Sequence, residues 1–175
     1  MKPDQSFAIS IGLVDGLITS LMITAYAIVY DFPIRPETAL HIAFGSSFVG
    51  SISYFIAEFS KLSKSEFRVA KALKPGIKVP QSIKKILSGR ILVESVYGGS
   101  ASFIMGFIGA SIPLFSYVGF HDIDSISLGL SYLSLSLFGA YTAKVTGGSY
   151  TKWILGLIIL GVLMTFIGTA LRIVS

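Results

Sequence analysis

Apolar and polar positions divide the chain into five long hydrophobic runs, separated by short polar stretches. The runs cover about 7–30, 39–60, 91–118, 126–143 and 150–173. A membrane-spanning helix needs roughly 20 mainly apolar residues, so each run predicts a span. The polar stretches between them carry the turn chemistry. Asp31-Phe32-Pro33-Ile34-Arg35-Pro36-Glu37 holds two prolines that stop a helix. Gly119 to Ser125 and Lys144 to Ser149 are short loops. The expected fold is all-α: a single polytopic membrane domain over residues 1–175, with five transmembrane helices. Pro113 predicts a kink in span three.

The one long interruption is 61–90, which reads as a short basic helical hairpin between spans two and three. Two amphipathic patterns fill it. Phe67, Ala70 and Leu73 share one side of the first, with Lys64, Arg68 and Lys71 elsewhere. Ile83, Ile86 and Leu87 stand against Lys84 and Lys85 in the second, and Lys74-Pro75-Gly76 breaks the two apart. Basic amphipathic helices beside a membrane lie on anionic headgroups, so Lys71, Lys74, Lys84 and Lys85 are candidate lipid-binding residues.

Composition sharpens this reading. Of 175 residues, 53% are hydrophobic and 13% charged, where a soluble domain has about 25% charged. The mean hydropathy is +0.77. With no cysteine, disulfides, thiolate metal sites and cysteine catalysis are excluded. The first run is too long, and too polar at Asp15, for a cleaved signal peptide. The net charge of +5 is not a nucleic-acid signal, because nine of the fourteen Lys and Arg lie between Lys61 and Arg90. Such clustering beside spans marks the cytoplasmic side. With five spans, the N-terminus, the basic stretch and the Lys144–Lys152 turn share that side. It holds twelve basic residues against two, Arg35 and Arg172, on the other. The expectation is a cytoplasmic N-terminus and an extracellular or lumenal C-terminus.

The chemistry concentrates around Asp15, inside the first run. A carboxylate in a span is costly and normally faces a bundle interior or a water-filled path. Gly12, Asp15, Thr19, Met22 and Tyr26 fall on one helical stripe, about 12 Å into the helix at Asp15. Oxygen ligands suit hard cations, and a thioether tolerates softer transition metals. Span two carries a second stripe, Ser47, Ser51, Tyr54 and Glu58, with Glu58 just inside the cytoplasmic end. Candidate metal-path residues are therefore Asp15, Glu58, Thr19, Met22, Tyr54 and Glu94, the last of which could instead pair with Arg90. A lysine at 61 or 64 could likewise hold Glu58 as an interfacial ion pair. His121, Asp122 and Asp124 are ligand types in a loop on the opposite side. Ser46, Gly50, Ser102, Gly106, Ala110, Gly161 and Gly168 are small residues that let helices approach closely in lipid. No phosphate-cradling glycine loop, Ser-His-Asp order or nucleophile elbow is present, so an enzyme is not expected.

Gly12-Leu13-Val14-Asp15-Gly16-Leu17-Ile18-Thr19 resembles the first-span motif of the vacuolar iron transporter family. Glu58-Phe59-Ser60 is similar to that family's second-span Glu motif. The stretch from Gly139 to Ser149 resembles its turn between spans four and five, and Gly168 also fits. The resemblance implies a homodimer of five-helix subunits that exports ferrous iron, sometimes manganese, from the cytosol in exchange for protons. It implies Asp15 and Glu58 as metal and proton carriers. The metal is cargo, and no resident cofactor is expected. Two departures stand out: Tyr54 occupies the place of a frequent Met, and a short basic segment replaces a Glu-rich helical domain. The competing expectation is a non-transporting membrane protein that binds anionic lipid or a partner through its basic stretch.

Overall fold

The computed structural model describes residues 3–73, 81–120 and 123–170, with side chains for 6–65, 89–120, 123 and 126–170. These residues form α1 (Pro3–Val29), α2 (Pro36–Leu73), α3 (Gln81–Gly119), α4 (Asp124–Thr146) and α5 (Tyr150–Ala170). All five are long and apolar enough to cross a membrane, the architecture of a multi-pass membrane protein.

Helix ends follow local chemistry. Asp31 takes a left-handed backbone with φ 50°, and Phe32 N–H bonds the Ala27 carbonyl at 2.9 Å, which closes α1. Pro36 then opens α2, at a position where a missing N–H costs nothing. Gly147 ends α4 at φ 67°, and Gly148 N–H reaches the Ala143 carbonyl at 3.0 Å. This is the glycine cap that the Gly147-Gly148 pair encodes. Pro113 sits inside α3 without interrupting it. The Ser116 and Ser127 hydroxyls both donate to its carbonyl, at 2.9 and 3.1 Å, and tie α3 to α4.

The basic stretch departs from its sequence reading. Helix α2 runs unbroken through 61–73, and α3 is already helical from Gln81. Those segments are extensions of spanning helices, and a hairpin between them is not shown. Residues 74–80 lie outside the described residues, as do the side chains of Lys71, Lys74, Lys84 and Lys85.

Helix α1 is central and touches all four others, most extensively α3. Bare backbone makes the α1–α3 seam. A Cβ on Gly12 would overlap the Ser102 carbonyl, one on Gly16 the Gly106 carbonyl, and one on Gly109 the Leu13 carbonyl. In lipid, such close approach replaces the hydrophobic drive that holds soluble helices together. Leu17 and Leu21 of α1 are fully buried against Leu135 of α4. Helices α1 and α2 converge at their short connection, where Ala27, Ile34, Ala39 and Ala43 pack with Ala110, Leu114 and Tyr117. Tyr117 donates to the Phe32 carbonyl at 3.1 Å and pins that connection to α3. Away from it a groove lies between the two helices, lined by polar groups of both.

Candidate functional site

A groove of about 770 Å³ runs between α1 and α2. Its α1 wall is Phe7, Ile11, Asp15 and Thr19; its α2 wall includes Ser46, Gly50, Ser53, Tyr54, Glu58 and Lys61. The Asp15 carboxylate lies against α2 at Gly50, occupying space that a side chain at position 50 would fill. Glu58 is buried at 6% exposure and stands at the other end of the groove. Lys61 reaches it from the next turn, with Nζ 3.4 Å from Oε2. Glu58 lies eight residues beyond Gly50 on α2, about 12 Å along the helix axis. The two carboxylates thus line one groove from different helices, Asp15 at Gly50 and Glu58 about two turns further along α2. Among the described residues, no three His, Cys, Asp or Glu side chains come together.

Asp15 also lines a second groove, of about 590 Å³, on the opposite flank of α1. Ser6, Ser10, Thr142 and Thr146 supply hydroxyls there, and Trp153, Leu157 and Met164 form the wall from α5. Asp15 itself is exposed on the surface of the chain and lines both grooves.

The predicted site residues divide. Asp15, Thr19, Tyr54 and Glu58 share the α1–α2 groove. Tyr54 is buried there, its ring over the bare Cα of Gly98 and 6.4 Å from the Phe7 ring. Met22 does not join them. Its carbonyl and Cγ meet Gly168, because α5 crosses α1 at that point and covers the face that Asp15 leaves open one helical repeat earlier. Glu94 is exposed on α3 and lines neither groove. Nor do the two predicted stripes survive as continuous lines. Gly12 faces α3, and Tyr26 packs its ring, tilted, against those of Tyr30 and Phe32 at the closed end. Ser47 donates to the Ala43 carbonyl and Ser51 to the Gly99 carbonyl, at 2.6 and 2.8 Å, so both hydroxyls turn away from the groove. His121 and Asp122, with the side chain of Asp124, lie outside the described residues.

The groove wall of α2 instead uses Ser46, Gly50, Ser53, Ala57 and Lys61. These small and polar residues recur at steps of four, three, four and four, a stripe beside the predicted one and detectable by the same spacing. Chemically, the groove offers two carboxylates and several hydroxyls, the ligand set of a hard cation.

Compared with known proteins, the chain matches no family model, no curated protein and no solved structure.

Proposed function

We propose that this protein carries a divalent metal cation, ferrous iron or manganese, out of the cytosol in exchange for protons. The observation that carries the reading is the shared groove, lined by carboxylates from two spanning helices, Asp15 seated at Gly50 and Glu58 eight residues further along α2. Intramembrane carboxylates are kept where they handle ions. The motif resemblance to vacuolar iron transporters supplies iron and manganese as the cargo. The charge bias of the loops puts the N-terminus in the cytosol and the C-terminus outside or in a lumen. In that orientation Glu58 and Lys61 stand at a cytosolic mouth and Asp15 lies deeper. The basic residues from Lys61 to Arg90 would lie near anionic headgroups of the same side.

Asp15 faces out of the protomer, where lipid would leave its charge uncovered. A second copy packed across α1 covers it, so the working unit is a homodimer with α1 near the axis. The exchange is elementary. A ligating carboxylate gives up its proton, so metal loading releases protons, and protonation from the acidic side displaces the metal.

The test is Asp15→Asn in proteoliposomes that report metal uptake and internal pH together. Asn keeps the shape and an oxygen ligand but cannot ionise. Uptake and proton movement should fall to the level of empty liposomes. The yield of folded protein should hold, since Asn keeps the side chain's shape and removes the cost of a charge in the span. Wild-type uptake and proton movement in Asp15→Asn would remove the reading.

A further inference from the structure

Lys61 is the basic residue among those lining the α1–α2 groove. Its Nζ stands 3.4 Å from both Oε1 and Oε2 of Glu58. The two side chains differ sharply in exposure, 60% for Lys61 and 7% for Glu58. An ordinary ion pair three residues apart on a helix has both partners in water and contributes little. Here the acid is recessed in the groove, and the base reaches it from the exposed edge along its methylene stem. A charge-assisted N–H···O bond at full strength measures about 2.7–2.9 Å. The ammonium therefore neutralises the carboxylate without being locked to it.

A hard divalent ion ligated by Glu58 would sit about 2.0–2.6 Å from its oxygens. The ammonium and the ion cannot share that carboxylate, because their charges repel across a partly buried space. We propose that Lys61 is a tethered competing cation at the entry carboxylate, and that it determines which ions load. A doubly charged ion gains more from Glu58 than the ammonium does, and displaces it. A sodium or potassium ion carries the same charge as the ammonium and gains no more from Glu58 than the tethered ammonium does, so it is held out. Lys61 acts here through Glu58 and is a specificity-determining residue. The inference rests on the transport reading above.

Lys61→Met keeps most of the stem and removes the charge. Equilibrium Mn²⁺ binding to the purified protein, read from the free-ion paramagnetic resonance signal, is measured beside Mn²⁺ uptake into liposomes. Lys61→Met should tighten binding and lower KM by about two- to fivefold, the range of partly exposed ion pairs, with kcat little changed. Sodium at physiological ionic strength should now inhibit loading, where it does not in the wild type. Lys61→Arg should restore both wild-type properties. In a Glu58→Gln background, Lys61→Met should have no effect. Lys64→Met removes the same charge from an exposed neighbour on α2 and should leave both properties alone. Unchanged Mn²⁺ affinity and sodium response in Lys61→Met would overturn the proposal, as would an equal shift from Lys64→Met. A wild type that moves Mn²⁺ beside an unchanged Lys61→Met would leave the transport reading standing. A wild type that neither binds nor moves a divalent ion would remove that reading and this inference together.

Discussion

Helix α1 meets its two large neighbours in opposite ways. Toward α3 it presents Gly12 and Gly16, and the backbones touch with no room for a methyl group. Toward α2, over the same length, it presents Ile11, Asp15 and Thr19 across an open groove. The first contact is a seam that cannot change without breaking. The second is a gap in which a carboxylate already rests on bare backbone. Where lipid gives no hydrophobic drive, fit holds helices together, so a poorly filled interface in such a bundle marks a place where something else belongs. Toward the 30–35 connection, alanines of α1 and α2 pack together, and the Tyr117 hydrogen bond pins the connection to α3. The α1–α2 interface is thus packed at one end and grooved at the other.

The sharpest way to break the comparison is to put the same methyl group on each surface. At Gly16 a Cβ would overlap the Gly106 carbonyl and stand 2.9 Å from the Ala110 nitrogen, neither of which can yield. Gly16→Ala should destabilise the protein by about 1–3 kcal/mol, the usual cost of overpacking. At Gly45, in the groove wall, a Cβ would meet nothing within 4 Å. There Gly45→Ala should stabilise by about 0.5–1 kcal/mol through helix propensity alone. Thermal unfolding in detergent measures both. The same sign at both positions would mean that seam and groove are not different surfaces.

A smaller effect separates covered from open positions on α1 itself. Met22 packs on Gly168, whereas Thr19 lines the groove. Met22→Ala should cost about 1–2 kcal/mol, less than a fully buried methionine because Met22 is only half-buried, and should leave metal preference unchanged. Thr19→Ala should leave stability unchanged and alter the ratio of Mn²⁺ to Fe²⁺ uptake. A shift in metal preference from Met22→Ala alone would return the thioether to the path.

These pairs also mark what the sequence could convey. The five helices were legible because each apolar run is long enough to span, and because Pro33, Pro36 and Gly147 punctuate the runs. Asp15 was legible because a lone carboxylate in such a run is costly. Periodicity says which residues share a face, but not which neighbour lies on it. Met22 and Asp15 share a face of α1, yet α5 covers one and not the other. Ser51 and Tyr54 share a face of α2, yet the serine hydroxyl is taken by the backbone of α3. The extent of α2 and α3 was hidden for another reason. Charge marks where the bilayer ends, and a helix need not end there: α2 continues through Lys61 and Lys64 to Leu73.

The finest comparison uses two serines two residues apart on α2. Ser51 donates to the Gly99 carbonyl at 2.8 Å, a polar clip on the sealed side of the helix. Ser53 is exposed and lines the groove. Interhelical hydrogen bonds in membrane proteins average about 0.6 kcal/mol, because the unfolded segment also finds partners within the bilayer. Ser51→Ala should therefore lower stability by about that amount and leave transport kinetics as they are. Ser53→Ala should do the reverse. Ser53 lies between Gly50 and Glu58 along α2 and lines the same groove, so under the proposed function a cation passing from one carboxylate to the other would pass it. Loss of its hydroxyl should leave the melting temperature unchanged and slow Mn²⁺ transfer, lowering kcat more than it raises KM. Paired melting curves and uptake kinetics for the two variants decide this. A kinetic defect in Ser51→Ala equal to that in Ser53→Ala would mean that the path does not follow the groove.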